Sequence, residues 1–205
     1  MYSTNGTNPM IRIGVLGSTN GTDLQVILNA IAKKRLHAEI SVVISNRKNA
    51  FILKRAENHN IQHSYVSHLH MSREEFDHKV TNILEKHKVD LVLLIGFMRI
   101  LSKSFCKHWS GKILNVHPSL LPKYSGGMDE DVHAKVLKNK DTETGCTIHF
   151  VTEAVDAGPI FIQKRCRVNS SDTVQTLKTK VQALEGDAFL EAIPLFESKY
   201  HNKNG

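Results

Sequence analysis

A doubly wound α/β fold, with a mostly parallel sheet flanked by helices, is predicted by three features of the 205-residue sequence. Apolar strand-like runs alternate with amphipathic helical stretches through the first half, which is the pattern of a wound parallel sheet. One run, "DLVLLIGFM" from Asp90 to Met98, is almost continuously apolar, as a central strand covered on both faces must be. Later, two strand-like runs are joined by the short connection "TEAVDAGP", which predicts an antiparallel pair near the C-terminus.

The elements follow in order. "MIRIGVL" (Met10–Leu16) reads as the first strand, and Leu24, Ile27, Leu28 and Ile31 mark the buried face of a helix ending near Lys34. "EISVVIS" (Glu39–Ser45) is the second strand, followed by a helix over Phe51–Asn58 and a weaker strand in "QHSYVS". "SREEFDHKVTNILEKH" opens with Ser72 and has Glu75 three residues later, a capping box, while Phe76, Val80, Ile83 and Leu84 give its apolar stripe. After Met98 come a strand "KILNVH", a helix "DEDVHAKVLKNK", and the strands "CTIHFV" and "IFIQKRCRV". The long amphipathic stretch from "SDTVQTLK" to Ser198 reads as one helix started by a Ser/Asp cap.

With 40% hydrophobic and 23% charged residues, the chain is ordinary globular material for one domain over residues 10–200. The polar "MYSTNGTNPM" reads as a flexible lead-in over residues 1–9, without the layout of a signal peptide. No apolar run approaches the roughly 20 residues that span a bilayer. Cys106, Cys146 and Cys166 have no zinc-type spacing and read as reduced thiols, so a cytoplasmic location and no metal are expected. The net charge of +7 suits small anionic substrates. Nucleic acid is disfavoured, because the basic residues are dispersed and only 6% of residues are aromatic. His63, His68 and His70 match no metal-ligand spacing and read as solvated loop.

Two stretches carry chemistry. The first is the junction Gly17–Gln25, a glycine-containing loop opening a helix, where amides and the helix dipole make a cradle for phosphate. It is neither GxGxxG nor a Walker A loop, which disfavours NAD and ATP. Asp23 is expected to cap the helix with its carboxylate turned away from the anion. The second is "LNVHPSLLP". Asn115 and His117 alternate with apolar residues and share one face of a strand, and Pro118 and Pro122 then end regular pairing. Asp156, in the Gly/Pro-bounded connection, is positioned to pair with His117 and raise its pKa for proton transfer near neutrality. Asn115 offers a neutral donor for an oxyanion. His149 reads as a core or supporting histidine. No Ser or Cys sits in a nucleophile elbow, so direct transfer to a substrate nucleophile is expected. The chain reversal predicts a cis Leu121–Pro122 bond and an extended His117.

"GFMRILS", "LNVHPSLLPKY", "GCTIHFV" and "VDAGPI", in this order, closely resemble the phosphoribosylglycinamide formyltransferase family, folate-dependent enzymes of purine synthesis. The resemblance covers residues 10–198 and implies a Rossmann-like seven-stranded sheet. It also implies attack of the amine of glycinamide ribonucleotide on the formyl carbon of 10-formyltetrahydrofolate, the one-carbon co-substrate. By the resemblance, Asn115 and protonated His117 stabilise the oxyanion, and Asp156 holds His117 and assists proton movement. Gly21, Thr22 and Asp23 fall on the ribonucleotide phosphate loop, and Gln182 and Glu185 on positions that hold the glycinamide end. Met98, Arg99, Ile100 and Leu101 match the folate pocket, His133 its rim, and Arg73 a residue near the folate's glutamate tail.

The family usually has Gly-Ser-Asn where this chain has Gly21-Thr22-Asp23, and "SGGMDEDV" is a few residues longer than its family counterpart. A methionyl-tRNA formyltransferase would carry a further C-terminal domain and a formyltetrahydrofolate hydrolase an N-terminal regulatory one. Neither is expected here. A non-catalytic folate- or nucleotide-binding module is disfavoured by the complete Asn–His–Asp set. No nucleic-acid or membrane partner is expected, and the chain is expected to be a monomer or homodimer.

Overall fold

A computed structural model describes residues 10–204; the expected lead-in over residues 1–9 lies outside the described residues. The elements in chain order are β1 (Ile11–Gly17), α1 (Thr22–Ala32), β2 (Ala38–Ser45), α2 (Phe51–Asn58), β3 (His63–Tyr65), α3 (Arg73–Lys86) and β4 (Leu91–Ile95). They continue with α4 (Lys103–His108), β5 (Ile113–His117), α5 (Asp129–Lys138), β6 (Glu143–Phe150), β7 (Ile160–Arg167) and α6 (Val174–Asn204).

The seven strands form one sheet in the order β3-β2-β1-β4-β5-β6-β7. Strands β1 to β5 pair in parallel. The expected antiparallel partner of β7 is β6, and β6 also runs antiparallel to β5. The α/β reading with a mostly parallel sheet and an antiparallel C-terminal part therefore holds.

Alternation along the strands sorts the core onto two faces. Ile13, Val15, Leu93, Leu114 and Ile148 pack with α1, α2 and α6 through Leu24, Ile27, Ile52, Val181 and Phe189. On the other face Leu16, Val42, Val92 and Ile113 pack against Phe76, Val80 and Leu84 of α3, Phe105 of α4 and Trp109 at its C-terminal end.

Local chemistry explains where elements begin and stop. The capping box at α3 is present: the Ser72 side chain accepts from the Glu75 amide, and Glu75 accepts from the Ser72 amide. β4 stops at Ile95, short of the expected Met98, because Gly96 turns with φ +57°. Helix α4 was not expected; it has only 6 residues, too few for a helical period, and Ser102 caps it through the Phe105 amide. The start of α6 also differs. Thr173, not Ser171 or Asp172, accepts from the Thr176 amide, while Asp172 holds Lys180 at 2.7 Å. The Leu121–Pro122 bond is cis, as expected.

Candidate active site

The strand order reverses direction between β1 and β4, which opens a crevice at their C-terminal ends. Its base is tied together. The Ser18 amide donates to the Gly96 carbonyl at 3.1 Å. The Ser18 hydroxyl donates to Asn46 Oδ1 at 2.6 Å and accepts from the Met98 amide at 2.8 Å. One strand over, β5 ends in Asn115 and His117.

The antiparallel register sets Asn115 opposite His149 and His117 opposite Thr147, so all four side chains project from one face. The connection between β6 and β7 brings Asp156 back over that face, with its backbone at φ +53°. The Asp156 carboxylate lies 3.3 Å from His117 Nδ1 through Oδ2 and 3.5 Å from His149 Nε2 through Oδ1. The Gly126 amide donates to Oδ2 at 2.8 Å. His117 Nε2 lies 3.0 Å from the Tyr124 carbonyl oxygen, and Asn115 Nδ2 lies 3.1 Å from His149 Nε2.

These partners define proton positions. His149 Nδ1 faces the Phe150 carbonyl at 3.0 Å, so it carries the proton, and Nε2 accepts from the Asn115 amide. Asn115 thus has its amide nitrogen oriented by His149 and keeps a second N–H to donate elsewhere. His117 has an oxygen acceptor on each ring nitrogen, an arrangement that only the imidazolium satisfies fully.

Burial opposes that charge. The expected rise in the His117 pKa is not found; it lies below the ordinary histidine value. Loss of water around the ring, only 3% exposed, outweighs the Asp156 charge and the Tyr124 carbonyl, and His149 adds to the lowering. Asp156 stays ionised more readily than usual. Burial raises its pKa, but the neighbouring His149, the hydrogen bond from the Gly126 amide and the His117 charge together bring it below the usual value. Asp156→Asn should therefore move the His117 midpoint still lower. Imidazole NMR titration of both proteins checks this, and an unchanged or higher midpoint in the variant contradicts it.

The second group of sequence-predicted residues lies across the crevice. Gly21 is the N-cap of α1 at φ +65°, and a Cβ there would come within 2.4 Å of Ile52, so only glycine fits. Thr22 is exposed at the first turn. Asp23 does not cap the helix as expected: no side-chain cap bond is present, and its carboxyl is buried at 4% exposure. Glycine at the N-cap leaves Asp23 inside the helix, facing the core. Gln182 and Glu185 lie one turn apart on α6, with Glu185 buried and Gln182 half-buried.

The third group follows β4. Met98 and Ile100 are exposed and Leu101 is buried. The Arg99 guanidinium stacks over Phe76 at 4.5 Å. Arg99 and Arg73 both place positive charge near Asp77, whose carboxylate accepts from the Ser102 amide at 2.5 Å. Arg73 and Arg99 thus lie around the same carboxylate. His133 is different: it is buried on α5 at 1% exposure.

The structure brings together Asn115, His117 and Asp156, and adds His149, Tyr124 and Gly126, which sequence reasoning did not assign to the site. Among the described residues, no group of three or more His, Cys, Asp and Glu side chains converges to hold a metal ion. Among them, too, no helix is long and apolar enough to cross a membrane.

Fold and site together define a wound α/β domain with an Asn–His–Asp centre, and residues 11–193 match the formyl transferase family model. The chain is 38% identical over 176 residues to the phosphoribosylglycinamide formyltransferase of Escherichia coli strain K12, covering 85% of this chain and 82% of that protein. It is 43% identical over 189 residues to the trifunctional purine biosynthetic protein adenosine-3 of Gallus gallus, covering 92% of this chain but only 18% of that protein. The crystal structure of glycinamide ribonucleotide transformylase 1 from Symbiobacterium toebii superposes with a TM-score of 0.88 at 38% identity, covering 93% of this chain and 89% of that one. The chain belongs to the formyl transferase family, in its phosphoribosylglycinamide formyltransferase group.

Proposed function

We propose that the chain transfers the formyl group of 10-formyltetrahydrofolate to the amine of 5′-phosphoribosylglycinamide, a step of de novo purine (IMP) synthesis in the cytoplasm. The observation that carries this reading is the Asn115–His149–Asp156–His117 network at the end of β5. The match to phosphoribosylglycinamide formyltransferases over most of their length supports it.

The substrate amine attacks the formyl carbon, and the C=O bond becomes a C–O⁻ single bond in a tetrahedral intermediate. The free N–H of Asn115 and the His117 ring donate to that oxygen; a well-placed donor of this kind contributes about 10²–10³ in rate. The Tyr124 carbonyl sits on His117 Nε2, so this contact is exchanged for the oxyanion when the donor binds. Developing negative charge favours the imidazolium form of His117, which takes a proton from solvent as the substrates bind and gives it back once the oxyanion has collapsed. Asp156, ionised and tied to both histidines, holds the ring and accepts the proton that the attacking amine sheds, through water. Collapse forms the new amide, breaks the bond from the formyl carbon to folate N10, and returns that proton to N10.

The ribonucleotide phosphate rests on the loop amides at Gly21–Asp23, where exposed N–H groups and the helix dipole favour an anion. Gln182 and Glu185, one turn apart on α6, hold the glycinamide portion. Met98, Arg99, Ile100 and Leu101 line the folate pocket, with Arg73 toward the glutamate tail and His133 behind the rim.

The test is a transfer assay with purified chain, 10-formyltetrahydrofolate and glycinamide ribonucleotide, following formylated product by mass. The expected result is product formation dependent on both substrates. Formate release without the ribonucleotide, and no formylated product with it, contradicts the proposal and indicates a hydrolase.

A further inference from the structure

Two buried acidic side chains, Asp23 on α1 and Glu185 on α6, act on one thiol where the two helices pack. The helices touch at Val26 and Gly186, where a Cβ on Gly186 would come within 2.9 Å of Val26. Asp23 lies three residues before Val26 on the same face of α1, and Glu185 immediately precedes Gly186 on α6. Asp23 is 4% exposed and Glu185 9%. Both act on one thiol: burial first, then the Glu185 charge, with a smaller contribution from Asp23, push Cys146 up to about 12.

Among the charged and titratable groups of the surrounding elements, His133 on α5 is buried, and the following groups pair away from Asp23 or are exposed. On α2, Arg55 donates to the Asn20 carbonyl and to Gln25. On α6, Lys180 pairs with Asp172 and Lys178 with Glu130, and Asp187 is exposed. Arg12 on β1 pairs with Asp90, Glu39 on β2 is exposed, and Glu143 on β6 pairs with Arg165. His149 on β6 belongs to the network around Asn115 and Asp156. The Asp23 Oδ1 atom is fully buried without a hydrogen-bond partner. A charged oxygen in that position is desolvated with no hydrogen bond to compensate, which favours the neutral acid.

We propose that Asp23, buried in the first turn of α1 with an unpartnered oxygen, is carried as a neutral carboxylic acid, and that holding the ribonucleotide phosphate at the adjoining loop amides requires that proton. The inference rests on the functional reading above. An ionised Asp23 in the first turn of α1 would set a negative charge next to the amides that receive a phosphate dianion. The dianion therefore favours the protonated acid, and a protein that has lost this proton regains it on binding.

Burial raises the Asp23 pKa to about 7. A carboxyl raised in the folded state stabilises the fold below its ordinary pKa, and this stabilisation is lost as pH rises through about 7. Asp23→Asn is the neutral isostere and lacks both effects. It also removes from the comparison any titration of the phosphate itself.

The experiment is titration calorimetry of wild type and Asp23→Asn with glycinamide ribonucleotide near pH 8, in two buffers of different ionisation enthalpy. Thermal melts of both proteins from about pH 6 to about pH 8.5 accompany it. Wild type is expected to take up more protons on binding than the variant, and its affinity to fall relative to the variant by up to about tenfold per pH unit above 7. Its melting temperature should also fall relative to the variant as pH rises from about 6 through about 7, and the two curves should run parallel above that. Equal proton uptake with parallel affinities overturns the coupling and leaves the functional reading intact. Melting curves that run parallel over the whole range overturn the neutral acid. Absence of ribonucleotide binding by both proteins overturns the functional reading, and the coupling with it.

Discussion

Asp156→Asn is expected to lower formyl transfer to glycinamide ribonucleotide by about 10²–10⁴-fold, the usual loss for a positioned acid–base group. The substitution keeps the size of the side chain but removes the charge that faces His117 at 3.3 Å and His149 at 3.5 Å. The Gly126 amide would still find an oxygen acceptor, so the loop keeps that tie. The proton shed by the amine would have no ionised acceptor, and His117 would take up charge less readily. His117→Ala should lose a similar factor, because the oxyanion is left with Asn115 alone. Steady-state turnover of the two variants, with host enzyme excluded, checks both. Near-normal turnover in either one contradicts the assigned roles.

Gly158→Ala is expected to cost about 1–3 kcal/mol of stability or more, the range for forcing extra volume into a packed position. The added Cβ would lie 1.8 Å from the Phe150 carbonyl oxygen, a backbone atom that cannot swing aside. At the same point the Phe150 amide donates to the Pro159 carbonyl at 2.9 Å, pinning the mouth of the loop that carries Asp156. Moving the backbone there moves Asp156 as well, so activity should fall with stability. Urea unfolding and turnover of the variant test this together. A wild-type midpoint with wild-type turnover rules it out.

Much of the fold was legible because its signals are local. The capping box of α3, the apolar run of β4 and the paired strands around "TEAVDAGP" each announce themselves within a dozen residues. Helix α4 has only 6 residues, so its periodicity could not show. Strand β6 begins at Glu143, earlier than expected, because Gly145 interrupts the apolar pattern; Lys164 of β7 passes so close that a Cβ there would lie 1.8 Å from its carbonyl.

The site was legible in part for the same reason. Asn115 and His117 alternate on one strand, and Asp156 sits in an obvious turn. His149 was missed as a partner because its place opposite Asn115 depends on pairing between β5 and β6, a long-range fact. Two electrostatic expectations failed on burial, which a sequence does not display. His117 is too dry for Asp156 to raise its pKa, and Asp23 faces the core instead of capping its helix.

The central claim is that the network at the end of β5 meets the formyl oxygen while the loop at Gly21–Asp23 holds the phosphate. A crystal structure with glycinamide ribonucleotide and a non-transferable 10-formyl folate analogue tests it most directly. The predicted result places the formyl oxygen about 2.7–3.1 Å from Asn115 Nδ2 and within hydrogen-bond reach of the His117 ring. It also places the phosphate on the amides of Gly21 to Asp23, with the ribonucleotide amine facing the formyl carbon. A formyl group turned away from Asn115 and His117, or a phosphate beyond hydrogen-bond distance of all those amides, would contradict it.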